Sequence, residues 1–379
     1  MEAKTRRYRK LETFLTAGLL AAIILGFFVA NLFYTPPEVS ASERRRLAPL
    51  PELVFTSGGR CWLNDDFAGE FEAYAQDSFV GRDALRALKA FVQYEALRLL
   101  DNNGLFRVQG SVAKLTFLDE ASVRRTIAKI NKVAARLPHG TRIYLAAIPD
   151  KSYYLAAGTA YPGYDYDALE ALIRENLADA RYISLKNALG ADSYYTTDLH
   201  WKQTALSPVL QALGVEMGFS MDENFTAKEL SPFYGAYAGQ YALPLPAEAL
   251  ACLTNETLSR ARVRYLDTKT LKMVEGAMYD EVLFDGVDPY SVYLRGPQPI
   301  VIIENPDAAT GKELYLFRDS FSSSLAPLLT EAYAKITLID LRYISADALF
   351  SLIDFQENAD VLFLYGSLIL NDSTLLLVG

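Results

Sequence analysis

The stretch "ELYLFRDSFSSSLAPLLTEAYAKITLIDL", residues 313–341, decides the fold. It opens with an apolar run of strand length, Leu314–Phe317, broken by Arg318, Asp319 and Ser320. In "SSLAPLLTEAYA" the apolar residues recur at helical spacing, and "KITLIDL" is a second apolar strand. Strands this apolar suit a sheet covered on both faces. Strand, helix and strand in close succession imply a mostly parallel sheet with helices on both sides.

The same order extends in both directions. Downstream come a helix in "SADALFSLIDF" and a strand in "DVLFLYG". Upstream, "TFLDEASVRRTIAKINKVAARLP" reads as helix and "TRIYLAAIP" as strand. "DYDALEALIRENLADA" then reads as helix, "RYISL" as strand and "KQTALSPVLQALGVEMG" as helix. Residues 219–300 differ. Gly, Pro and Tyr are frequent there, and "ARVRYLDTKTLKMVEGAMYDEVLF" alternates like β structure, with "PQPIVIIE" closing the region. The expectation is an α/β protein with a β-rich insertion at about 219–300. The stretch from Cys61 to Leu100 reads as helices.

The N-terminus reads as a membrane anchor. Lys4, Arg6, Arg7, Arg9 and Lys10 precede an uncharged run of 21 residues, Thr13–Phe33. That length crosses roughly 30 Å of hydrocarbon as a helix. Basic residues before the span favour a cytoplasmic N-terminus and an extracytoplasmic body. Tyr34 suits the interface, and Pro36–Pro37 stop the helix. A cleaved signal peptide is the alternative, with "VSA" at 39–41 as cleavage sequence, but the apolar run exceeds the usual core of about 7–15 residues. The expected organisation is a cytoplasmic segment 1–12, a span 13–33, a stalk 34–60 and an α/β domain 61–379.

Charge and composition exclude several classes. The net charge is −9, and residues 1–46 hold eight Lys/Arg against four Asp/Glu, leaving −13 on the rest (−9 minus +4). An acidic body lacks the clustered basic residues that phosphate backbones need, so nucleic acid is not the expected partner. Two histidines and two cysteines, scattered, make no structural zinc site. Cys61 and Cys252 are compatible with a disulfide outside the cytoplasm or with two thiols.

Open α/β sheets place their sites at the carboxyl ends of strands. "AAIPDKSYY", "TTDLHW" and "YLFRDSFSSSL" fall there. Ser320 follows an apolar strand and precedes a helix, where backbone N–H groups and the helix dipole favour a developing oxyanion. The plain alternative is that Asp319 or Ser320 caps that helix. A serine nucleophile needs a base, for which histidine is the usual choice. His139 sits in "LPHGTR", a turn before a strand at the other end of the sheet. His200 has Asp198 two residues earlier, and in an extended segment such residues point the same way. The carboxylate can then hold the imidazole tautomer, as in a serine triad. Trp201 reads as core packing or as a platform for a sugar ring. Lys151 also follows a strand end, with solvent-facing charge its plainer role.

"TTDLHW" resembles the signature of the DHHW family, usually T-D-H-H-W, which is related to the alginate O-acetyltransferase group among SGNH-hydrolase-like proteins. "SERRRLAPLP", "FEAYAQDSFVGRDAL", "IPDKSYY" and "FRDSFSSSLAPLLTEAYAKITLIDLRYI" resemble family segments in content and order. The resemblance implies an SGNH-like three-layer sandwich in which Asp198 orients, His200 acts as base and Ser320 is the nucleophile. An Asp-x-His pair preceding the serine is the order of the acetyltransferase-like branch, whereas SGNH esterases place the serine first. Two positions depart: Leu199 stands for the first His of D-H-H-W, and Arg318 for the Gly of G-D-S. Arg318, Asp319, Trp201, Lys151, Arg342 and Tyr365 are the further pocket candidates.

The implied activity is O-acetyl transfer to a cell-surface or secreted polysaccharide. The alternatives are an acetylesterase with the same residues, or a non-catalytic glycan-binding or assembly protein. No metal or tightly held cofactor is implied. A transferase needs an acetyl donor, and related systems suggest a membrane partner that passes acetyl groups outward.

Overall fold

A computed structural model describes residues 2–57 and 60–379, with side chains at 10–55 and 60–379. The side chains of Lys4, Arg6, Arg7 and Arg9, which carry most of the expected cytoplasmic charge, lie outside the described residues. The chain forms two compact units, residues 1–92 and 93–379. Residues 61–92, grouped by sequence with the α/β body, thus fall in the first unit.

The first unit begins with the helix Glu2–Phe33. Its part Lys10–Phe33 is not buried and is long and apolar enough to cross a membrane. The stretch from Cys61 was expected to be helical from its start. It opens instead as the second strand, Arg60–Leu63, of a hairpin with Val54–Ser57. The aromatic and β-branched residues Val54, Phe55 and Trp62 suit that pairing. The helices Phe67–Asp77 and Arg82–Phe91 follow.

An eight-stranded sheet organises the second unit. In chain order its strands are β1 (Arg142–Ile148), β2 (Arg181–Ser184), β3 (Arg262–Asp267) and β4 (Lys272–Gly276). β5 (Ile300–Glu304), β6 (Glu313–Arg318), β7 (Lys335–Ile339) and β8 (Asp360–Gly366) complete it. Their spatial order is β4-β3-β5-β7-β6-β8-β1-β2. Pairings from β7 to β2 are parallel and those from β4 to β7 antiparallel, so the sheet is mixed, with a parallel half that carries the site.

Alternation along the strands builds two cores. Leu314, Leu316, Ile336, Leu338, Leu362 and Leu364 face the helices Ser207–Met217 and Ser322–Leu329. Tyr315, Phe317, Ile339, Val361 and Phe363 face the helices Glu120–Ala134, Tyr166–Asn176 and Ala346–Leu352. Period-two side chains on both faces explain why these strands read as continuous apolar runs.

Residues 219–300 are not a self-contained insertion, because β3 and β4 extend the main sheet. The remainder includes a separate hairpin, Thr226–Phe233 with Glu248–Thr254, connected through the short helix Ala236–Tyr241. That hairpin and its connection reach the site described next.

Candidate active site

β6 ends at Arg318, and Ser320 stands in the turn before the helix Ser322–Leu329. Asp319 shapes that turn. One of its oxygens accepts from the Phe321 N–H at 3.0 Å, the other from the Gly366 N–H at 2.6 Å at the end of neighbouring β8. A Cβ on Gly366 would lie 3.1 Å from that carboxylate oxygen, so glycine suits the close approach. Burial pushes the Asp319 carboxyl above its usual range, opposed by Arg342 and the two N–H donors. Neither Asp319 nor Ser320 caps the helix, whose N-cap is Phe321 with no side-chain bond.

The second component is the loop through "TTDLHW". Tyr194 bridges to Trp201, and the Tyr195 N–H donates to the His200 carbonyl at 3.1 Å, which pinches the loop at its base. Asp198 and His200 were expected to align along an extended segment. They sit in a tight bend instead, where Asp198 Oδ1 accepts from the His200 backbone N–H at 3.0 Å and from Nδ1 at 2.6 Å. An aspartate bonding its own backbone two residues on is a recurrent turn device, and here it also aims the ring. His200 Nε2 lies 2.7 Å from Ser320 Oγ. An ionised carboxylate only accepts, so Nδ1 carries the proton and Nε2 faces the serine as acceptor.

Asp198 is held in its charged form. Burial raises its pKa, but His200 and the hydrogen bonds from His200 and Ala236 outweigh that and hold it well below 3.8. The Ala236 N–H donates to Asp198 Oδ2 at 2.7 Å. The His200 ring stacks on Tyr290 with centroids 3.8 Å apart and planes at 9°, and meets Phe321 at 4.9 Å.

The loop is secured from beneath. Lys151, read as a solvent-facing charge or a pocket residue, has no exposure. Its ammonium donates to the carbonyls of Asp198 at 2.7 Å, Tyr195 at 2.9 Å and Thr196 at 3.3 Å. Burial pushes its pKa down to about 8, against the pull of Asp198, Asp150 and Glu248. Glu248 accepts from the N–H groups of Thr196 and Thr197 at 2.8 and 2.9 Å. At Gly235 an added Cβ would lie 2.1 Å from the Thr197 carbonyl oxygen and 2.4 Å from Asp198 Cβ, so only glycine lets the two loops meet.

The remaining pocket candidates have other tasks. Trp201 is fully buried and offers no platform to a sugar. Its Nε1 donates to the Phe321 carbonyl at 3.0 Å and to Ser324 Oγ at 2.9 Å, which ties the histidine loop to the serine turn. Arg318 is buried and donates to Ser323 Oγ at 2.6 Å and to the carbonyls of Gly296 and Gln298. Arg342 forms a two-pronged ion pair with Asp340 at 2.9 and 2.7 Å. Tyr365 is buried, and among the described residues its hydroxyl has no hydrogen-bond partner. His139 is exposed in a turn before β1, at the opposite end of that strand from Lys151.

The structure therefore brings Asp198, His200 and Ser320 into one hydrogen-bonded chain. Sequence reasoning missed Tyr290, Glu248, Gly235 and the Ala236 N–H. All four lie within 219–300, and a tyrosine among 24 gives no signal of its own. Among the described residues no cluster of three metal-ligating side chains occurs and no disulfide joins Cys61 to Cys252. Burial pushes the Cys252 thiol up to about 12.

No protein-family model and no curated protein matches the sequence. Solved structures do. A DHHW family protein from Eubacterium siraeum has a TM-score of 0.58 at 18% identity, over 71% of this chain and 93% of that one. The chain shares its fold with that DHHW protein. Bacillus cereus PatB1 has a TM-score of 0.56 at 18% identity, over 71% of this chain and 97% of PatB1. PatB1 with a sulfonyl adduct matches with the same TM-score at 16% identity, over 70% and 94%. The O-acetyltransferase domain of Pseudomonas putida AlgJ gives a TM-score of 0.41 at 15% identity, over 71% and 92%. The match to the DHHW structure fits the resemblance carried by "TTDLHW".

Proposed function

We propose that this chain is a membrane-anchored, extracytoplasmic serine-dependent O-acetyltransferase that acts on a cell-surface or secreted polysaccharide. One observation carries the reading: the unbroken hydrogen-bond chain from Asp198 through His200, at 2.6 Å, to Ser320, at 2.7 Å. Ser320 Oγ attacks the acetyl carbonyl as its proton passes to His200 Nε2. The Ser320 backbone N–H, in the turn before a helix, supplies one donor to the oxyanion. Collapse expels the donor's leaving group, which takes the proton from Nε2 and leaves acetyl-Ser320. A sugar hydroxyl then gives its proton to Nε2 and attacks the acetyl carbon, and the collapsing intermediate returns that proton to Ser320 Oγ. Asp198 stays ionised throughout and stabilises the imidazolium.

The Asp-x-His pair preceding the serine resembles the acetyltransferase-like branch and favours transfer. The helix Lys10–Phe33 supports the anchor, and the basic residues before it support a cytoplasmic N-terminus. Lys151, Trp201 and Asp319 act as positioning residues, since each fixes the His200 loop or the Ser320 turn.

The test treats the full chain in detergent with a sulfonyl fluoride, the choice suggested by the adduct of PatB1. Mass spectrometry should find the label on Ser320 and none in Ser320→Ala. Release of acetate from a chromogenic ester is then followed with and without polysaccharide. Acetylated polysaccharide in excess of free acetate identifies a transferase, and the reverse an esterase. An unlabelled Ser320 with intact glycan binding refutes the enzyme reading.

A further inference from the structure

Among its described residues the first unit exposes a large apolar surface. In the helix Arg82–Phe91 and its next residue, Leu85, Leu88, Phe91 and Val92 fall on one side of the helical wheel and all are exposed, Leu88 at 57% and Phe91 at 54%. The opposite side is occupied. Arg82 pairs with Glu43 and Asp77, and Arg86 with Glu43 at 3.1 Å. The charges thus face Glu43 and Asp77, while among the described residues the apolar stripe stays exposed. A stripe of this kind on an amphipathic helix marks a membrane or protein contact.

The surroundings favour lipid. Helix Phe67–Asp77 and the turn after it lie along the apolar helix Lys10–Phe33. Ile23, Ile24 and Phe27 line one side of a groove, with Phe71, Tyr74 and Phe79 on the other. Phe27 stacks on Phe79 with centroids 5.3 Å apart. At 1.5 Å per residue, Phe27 lies roughly 9 Å below Phe33 along the helix, and Ile23 roughly 15 Å. The half-thickness of the hydrocarbon core is about 15 Å. Segments packed at that depth on a spanning helix cannot stand in water. The backbone supports this, because the Val80 N–H, which lipid would leave unpaired, donates to Asn31 Oδ1 of the long helix at 3.0 Å.

We infer that the helices Phe67–Asp77 and Arg82–Phe91 are embedded in the bilayer leaflet at the Phe33 end of the span, with Leu85, Leu88 and Phe91 in contact with acyl chains. The inference rests on the anchored reading of Lys10–Phe33. It makes the anchor a span plus an interfacial helical hairpin, which holds residues 67–91 at the membrane surface and not at the end of a free stalk.

The test uses the full chain with Trp62→Phe, which leaves buried Trp201 as a constant background. Single tryptophans are introduced by Leu88→Trp, Phe91→Trp, Asp83→Trp and Phe27→Trp, and each protein is reconstituted into phosphatidylcholine vesicles with or without brominated acyl chains. The expected result is at least twofold quenching by bromolipid at positions 27, 88 and 91, and none at 83 on the polar side. Quenching at 27 with unchanged emission at 88 and 91 overturns the inference and leaves the anchor standing. Protection of 88 and 91 from both bromolipid and acrylamide also overturns it, since a second copy of the chain then covers the stripe. No quenching at 27 overturns the anchor itself and the inference with it.

Discussion

Asp198→Asn is the sharpest perturbation of the proposed site. The carboxylate accepts hydrogen bonds from the His200 N–H and Nδ1 at one oxygen, 3.0 and 2.6 Å, and from the Ala236 N–H at the other, 2.7 Å. An amide has one accepting end, so either orientation sets an NH2 group against a donor. With the NH2 toward Ala236, one half-buried N–H loses its partner, at about 1 kcal/mol of stability. His200 keeps its tautomer but loses the charge that stabilises the imidazolium. A charge-assisted bond of about 1.5–3 kcal/mol corresponds to roughly 10- to 150-fold in rate. With the NH2 toward His200, two donors are lost and Nδ1 must become the acceptor. Nε2 then carries the proton and cannot accept one from Ser320, a loss on the order of 10⁴-fold. Acylation by a chromogenic acetate ester, followed by stopped flow at pH 7–8, should therefore slow by about 10- to 10⁴-fold, depending on which orientation the amide takes. Circular dichroism should show the fold retained. A variant within threefold of the parent, with Ser320→Ala inactive, would show that His200 acts without Asp198.

Gly235→Ala forces a methyl to within 2.1 Å of the Thr197 carbonyl and should push apart the two loops that meet at Asp198. The expected loss is about 1–3 kcal/mol in a denaturant titration, with slower acylation of Ser320; an unchanged variant would show that the contact relaxes freely. Lys151 has a folded pKa of about 8 against an ordinary 10.5, so it holds its proton to higher pH in the unfolded chain. Its buried charge opposes folding below pH 8, and that penalty fades as the pH rises from 8 to 10.5. The stability of the parent relative to Lys151→Met should rise by about 3 kcal/mol between pH 7 and 10.5, and a flat difference refutes this account.

The parallel half of the sheet was legible in the sequence because its strands are apolar on both faces and its helices keep a regular spacing. Leu314–Phe317 and "DVLFLYG" have no other use for such runs. Asp198, His200 and Ser320 were legible as residue types at the carboxyl ends of strands, and histidine scarcity reduced the candidate bases to two. The geometry that joins Asp198 to His200 was not, since a bend closed by a side-chain hydrogen bond gives no periodic signal. Lys151 misled for a related reason. A lysine after a strand reads as solvated charge, and only the fold shows three backbone carbonyls converging on its ammonium. The antiparallel half of the sheet was hidden because β3 and β4 alternate as any hairpin does, and alternation does not name the neighbouring strand.

The two departures from the family spelling bear differently on the chemistry than the letters suggest. Leu199, where the resemblance expects a histidine, packs partly buried against hydrophobic clusters on either side of the loop. The hydrogen-bond chain passes from residue 198 to residue 200 and makes no use of the side chain between them. Arg318, where G-D-S has glycine, directs its guanidinium to the carbonyls of Gly296 and Gln298 and to Ser323. Its burial lowers its own pKa, and the segment it ties down lies close in sequence to Tyr290, whose ring stacks on His200. Both departures leave the hydrogen-bond chain from Ser320 through His200 to Asp198 intact. Arg318 also binds the serine turn to the segment 296–298, within the region that sequence alone had set apart as an insertion. Removing 219–300 would therefore take away the ring stacked on the imidazole, the donor to Asp198 Oδ2 and the carboxylate that holds Thr196 and Thr197. The residues proposed for catalysis come from "TTDLHW" and "FRDSF", but their relative positions are set by this third segment.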